Sequence, residues 1–132
     1  MIFVVFITRG LIAVALLAAG ALTAGCSGSG TGTLKADCRL YAKLQRSPGL
    51  DETTTPHSTV LLDMARRLDV LATQMRTKKL AGQVRAIAAD GRYLAATPPG
   101  KADETRLDRM AKDLGAPGRT CKAAGIIVPG PT

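Results

Sequence analysis

Residues 56–96 read PHSTVLLDMARRLDVLATQMRTKKLAGQVRAIAADGRYLAA, and the way this stretch divides decides the fold. Val60, Met64, Leu68, Leu71 and Met75 step by 4, 4, 3 and 4, which lays one apolar stripe along a helix. The stripe then loses phase. The positions where it should continue, 78, 79 and 82, are Lys, Lys and Gly, and a second stripe of Leu80, Val84, Ile87, Gly91 and Leu94 starts five residues after Met75. A single helix over the whole stretch spans roughly 60 Å at about 1.5 Å per residue. A globular domain of this size is only roughly 35 Å across. The two stripes are therefore expected to fold back as an antiparallel hairpin with a tight turn within 76–80. That places Lys78 and Lys79 at the carboxyl end of the first arm, where the helix dipole favours cations. Thr55 as N-cap and Pro56 at the first helical position open the hairpin, and Thr97-Pro98-Pro99-Gly100 closes it. Asp63 and Arg67 form a pair on its outer face.

The flanks read the same way. In LKADCRLYAKLQR, residues 34–46, Leu34, Cys38, Tyr41 and Leu44 step by 4, 3 and 3, and Pro48-Gly49 stops the helix ahead of a polar loop, Leu50–Thr55. Ala102–Leu114 reads as a fourth helix, with Asp103 and Glu104 in its first turn and Leu107, Met110, Ala111 and Leu114 facing inward. Asp108–Lys112 and Arg109–Asp113 pair outside. Gly115 and Pro117-Gly118 interrupt that helix. A short helical turn over 119–124 then carries Cys121, with Gly125 as its cap, and Ile126-Ile127-Val128 lies extended against the bundle. No strand alternation and no internal repeat is present. The expected fold is all-α, a small up-down bundle of about four helices after an N-terminal signal helix and a flexible linker.

Ahead of the bundle, residues 11–24 read LIAVALLAAGALTA, uncharged and preceded by Arg9, in the order and length of a secretory h-region. The run is shorter than the roughly 17–25 residues a transmembrane helix needs. It ends in Leu22-Thr23-Ala24-Gly25-Cys26, which resembles the lipobox of bacterial lipoproteins. Ala24, Gly25 and Cys26 match that pattern; Thr23 stands where the family usually has an aliphatic residue, and Leu22 lies one position early. The resemblance covers residues 1–26. It implies a diacylglycerol on the Cys26 thiol, cleavage before Cys26, and anchorage on the extracytoplasmic face of the cell membrane. Ser27–Thr33, SGSGTGT, reads as the flexible tether such an anchor needs. The expected organisation is a signal peptide over 1–25, the lipidated cysteine and tether over 26–33, and a helical domain over 34–132. In pattern, Cys38–Tyr41, Leu61–Ala96 and Cys121–Gly125 are similar to the elements of small helical actinobacterial lipoproteins, a likeness that implies a location and a fold but no reaction.

Three cysteines in an exported chain leave one over. If Cys26 carries lipid, Cys38 and Cys121 remain as an even pair, and an extracytoplasmic site permits their disulfide. Such a bridge closes a loop of roughly 80 residues and contributes about 4–5 kcal/mol in the chain-entropy limit. The other use of the pair, redox or metal chemistry, lacks both a CxxC spacing and a histidine close in sequence.

Composition argues against most chemistry. One histidine cannot build a multi-histidine metal site. His57 and Ser58 are neighbours without a GxSxG context, Asp51-Glu52 and Asp103-Glu104 sit in or beside loops, and Gly28, Gly30 and Gly32 lack the strand and GK[ST] of a phosphate loop. No catalytic residue, cofactor or metal is expected. The net charge is +8, and loss of residues 1–25, which hold Arg9 and no acid, leaves +7. Nucleic acid is not the expected partner, because aromatics are 3% of the chain and export removes it from nucleic acid. Lipid headgroups and cell-envelope polymers are the anions left. Lys35, Arg39, Lys43 and Arg46 step by 4, 4 and 3, within an arc of about 80° roughly opposite Leu34, Tyr41 and Leu44, and the row begins nine residues after Cys26. This row is the expected contact with an anionic surface. The chain reads as a membrane-anchored, non-catalytic structural or interaction accessory whose protein partner the sequence does not name. The alternative is a small ligand-binding bundle sheltering a lipid or other apolar molecule against the faces that carry Ala65, Ala72, Ala81, Ala88 and Ala95.

Overall fold

The computed structural model describes residues 31–130. They form four helices and no strand: α1 over 31–46, α2 over His57–Gln74, α3 over Lys78–Ala96 and α4 over Glu104–Ala123. Cys26, the signal segment and tether residues 27–30 lie outside the described residues. Residues 31–33, expected to finish the tether, already belong to α1.

The hairpin forms where the stripe loses phase. Helix α2 ends at Gln74, Met75 turns extended with ψ 138° and buries its side chain, and α3 starts after Thr77. Leu68, Leu71, Leu80, Val84 and Ile87 fill the space between the arms. Small residues set how close the arms come. Ala65, Ala72, Ala81 and Ala88 are buried, and a Cβ on Gly91 would stand 3.4 Å from the Leu61 carbonyl oxygen and 3.6 Å from the Ala65 methyl. An Asp69–Arg92 ion pair bridges the arms on the outside.

Two details of the hairpin correct the sequence expectation. Lys78 and Lys79 open α3 instead of closing α2, the end of a helix that disfavours cations. The physical reason is Asp37 of α1. Its carboxylate is 3% exposed and accepts from the backbone N–H of Arg76 at 3.1 Å and of Thr77 at 2.7 Å. It thus satisfies the donors of the turn and brings a negative charge to the amino end of α3. At the start of α2, Pro56 itself is the N-cap and no side chain caps the helix, so Thr55 does not play that part.

Helix α1 runs antiparallel to α2, since Asp37 meets residues 76 and 77 while the Pro48 carbonyl accepts from Arg67 Nη1 at 3.0 Å. Helix α4 runs antiparallel to α3: Asp103 N–H donates to the Tyr93 hydroxyl at one end, and the Thr120 hydroxyl donates to Gln83 Oε1 at the other. The Asp103 side chain caps α4 by accepting from Arg106 N–H at 2.9 Å.

Helix α4 departs most from its sequence reading. It continues through Gly115, Pro117 and Gly118 to Ala123 as one helix. Pro117 has no N–H to give the Asp113 carbonyl one turn earlier, so one bond of the helix ladder is lost there, while the neighbouring Lys112 carbonyl accepts from Arg119 Nη2 at 2.9 Å. Burial rewards the continuation, because Gly115, Pro117, Gly118 and Cys121 are all buried. The inward face differs accordingly. Met110 is buried as expected, while Leu107 and Leu114 are 41% and 46% exposed and Ala111 is exposed. Among the described residues, neither Asp108–Lys112 nor Arg109–Asp113 closes to an ion pair, whereas Asp63 pairs with Arg67 at 2.7 Å and with Arg66 at 3.0 Å. Past α4, Gly125 at φ 81° caps the helix. The N–H of Ile126 reaches the Cys121 carbonyl and that of Gly125 reaches Lys122, and Val128 then tucks into the core.

Candidate functional site

Of the positions singled out in the sequence, the fold brings Cys38 and Cys121 together. They are fully buried and joined, with Cα atoms 5.6 Å apart, tying α1 to α4. The basic row on α1 is turned outward at Arg39, Lys43 and Arg46, while Lys35 is half-buried; Cys38 and Tyr41 face the core, and Leu34 and Leu44 pack against it.

The candidate acids act locally. Asp51 accepts from the Thr53 N–H at 2.9 Å and the Thr53 hydroxyl at 2.6 Å, which holds its carboxyl below the usual range. Asp103 is the α4 cap. His57 and Ser58 are exposed at the start of α2. Among the described residues no cluster of His, Cys, Asp and Glu could hold a metal ion, and no helix is long and apolar enough to cross a membrane.

Two features were not foreseen. The first is a charged cluster between α3 and α4. Asp90 is 7% exposed, and its Oδ2 accepts no hydrogen bond from the described residues. Burial, chiefly, then the nearby Asp113 carboxyl pushes the Asp90 carboxyl above its ordinary range, against the pull of Arg106 and Arg109. The Arg106 guanidinium lies 3.8 Å above the Tyr93 ring. The only sequence sign of this cluster is an acid three residues after Ile87, on the apolar side of α3.

The second is a groove of about 510 Å³ between α1 and α2. Leu44 and Leu71 form its floor, Ser47 and Gln74 part of its walls, and Arg66, Arg67 and Val70 its α2 rim. Arg67 is held inward by Asp63 and Pro48, whereas the Arg66 side chain is 78% exposed. Elsewhere Tyr41, Met64, Leu68, Ile87, Leu114 and Val128 line an apolar niche of about 150 Å³. Compared with known proteins, the chain matches no family model, no curated protein and no solved structure.

Proposed function

We propose that this chain is a lipid-anchored protein of the extracytoplasmic membrane face, acting there as a non-catalytic structural or interaction accessory. The observation that carries the reading is the apolar run ending in Ala24-Gly25-Cys26. The cysteine arithmetic supports it: with Cys38 and Cys121 joined, Cys26 is the one thiol without an intramolecular partner to account for it. The net positive charge, with Arg39 and Lys43 exposed on α1, supports an anionic surface as the neighbour. Cys26→Ser should release the protein to the medium or leave an uncut precursor. A variant that partitions into detergent and is processed as the parent is would refute the anchor.

The apolar niche favours a second reading, a bundle that shelters a small ligand. Its volume of about 150 Å³ suits one benzene-sized molecule, well short of the roughly 300–1,000 Å³ of ordinary ligand sites. Ala65, Ala72, Ala81 and Ala88 are buried in helix contacts, so the alanine faces serve close packing. Native mass spectrometry of the protein extracted from membranes separates the two readings, a co-purifying apolar molecule favouring the second.

A further inference from the structure

We propose that the α1–α2 groove and its α2 rim form the face that lies against the membrane, with exposed apolar side chains entering an anionic phospholipid surface and Arg66 and Lys43 meeting its phosphates. The proposal rests on the lipid-anchor reading and says which side of the domain that anchor holds to the bilayer.

The α2 rim carries a specific order of side chains. Leu62, Arg66 and Val70 follow at steps of four, so they share one outer strip of the helix. Leu62 is 50% and Val70 53% exposed, and a cation stands between them. Across the groove, Lys43 is exposed one turn before Ser47, whose hydroxyl donates to the Lys43 carbonyl. The acids nearby cancel these cations only in part. Asp63, 12% exposed, pairs with both Arg66 and Arg67 and so leaves one positive charge in excess, and Asp69 is engaged by Arg92 of α3.

This combination distinguishes a bilayer from a soluble polyanion. Cations alone serve a wall polymer in water. Exposed Leu62 and Val70 gain nothing there, but at a lipid interface they bury apolar area while the long Arg66 side chain keeps its charge at the headgroups. The surface therefore includes α2 and excludes much of the α1 row: Lys35 and Arg46 lie on the side of α1 turned away from Leu44 and Ser47.

The chain has no tryptophan, so one placed on the rim is a unique reporter. The full chain carrying Val70→Trp is expressed, extracted from membranes and reconstituted with phosphatidylcholine vesicles, with or without phosphatidylglycerol, whose acyl chains are brominated. Leu62→Trp is the second rim reporter, and Ile127→Trp, at a position 71% exposed on the C-terminal segment, is the control. The expected result is blue-shifted, bromine-quenched emission from both rim reporters in the anionic vesicles only, with the control unmoved. Adding Arg66→Glu changes two charge steps and should lower the docked-to-undocked ratio by roughly 30-fold at low salt. Unshifted rim emission, or equal quenching of rim and control, overturns the proposal. So do equal quenching in both vesicle types and the same emission change with soluble polyphosphate in place of vesicles. The intact mass of the same sample reports lipid on Cys26 separately. Lipid present with an unshifted rim sinks the docking face alone, and a quenched rim without lipid sinks the anchor alone.

Discussion

The α2–α3 hairpin and the second half of α4 reach burial by different means. In the hairpin, Leu68, Leu80 and Val84 recur at helical spacing and alanines bring the arms close. In α4 the buried residues are Gly115, Pro117, Gly118 and Cys121, a set that on local grounds breaks a helix. The hairpin is held by periodic apolar area, and the end of α4 by burial of small residues, a covalent tie to α1 and the Gly125 cap. A local rule such as proline ending a helix yields when its breach is repaid by burial.

The largest test removes the covalent tie. Replacing Cys38 and Cys121 by Ser should cost about 2–5 kcal/mol, read from urea unfolding. Native-state hydrogen exchange should then quicken first in the last turns of α4 and leave the α2–α3 amides protected. Equal loss of protection in both regions would erase the contrast between them. Next comes side-chain truncation: Leu80→Ala, at a fully buried position, should cost about 2–5 kcal/mol. Leu107→Ala, at a position 41% exposed, should stay within about 0.5–1 kcal/mol. Comparable costs would restore Leu107 to the core.

A smaller test uses pH. The Asp90 carboxyl is raised in the folded state by burial and by Asp113. The contribution is therefore fully present below the unfolded carboxyl range and is lost as pH rises through the folded value. Asp90→Asn should match the parent in acid and become the more stable of the two as pH rises to neutral, as read from urea midpoints across pH. A constant difference at every pH would show that Asp90 does not titrate against the fold. The smallest effects come from glycines. Gly82 lies exposed within α3 with open space around its Cα, so Gly82→Ala should stabilise by about 0.5–1 kcal/mol. Gly125→Ala, at φ 81°, should destabilise by about 1 kcal/mol. Thermal midpoints moving in the same direction would contradict the assignment of Gly125 as cap.

The hairpin was legible because its signal is a phase: the jump from Met75 to Leu80 marks the turn without any tertiary knowledge. The Cys38–Cys121 pair was legible through parity, and Gly125 through its place after a helix. Leu107 and Leu114 were misread because periodicity names an apolar face without showing whether a partner helix covers it. Pro117 was misread because its cost is local and its compensation lies in the packed core. Lys78 and Lys79 fell on the wrong helix because the counter-charge, Asp37, sits about 40 residues upstream. A trace of that clasp was readable, since Asp37 follows Leu34 by three positions and so stands on the apolar side of α1. The groove combines residues of α1 and α2 far apart in the chain, and only the antiparallel pairing sets Leu44 beside Val70.

Asp37 and Cys38 are consecutive, yet they fasten α1 to two different places: the α2–α3 turn, 39 and 40 residues on, and α4, 83 residues on. Among the described residues α1 comes first in sequence, and both of its holds lie downstream of it. The hairpin closes through contacts between neighbouring segments, whereas each hold on α1 must close a loop of about 40 residues or more. Docking of α1 is therefore expected to follow the hairpin, because its contacts are the more distant in sequence.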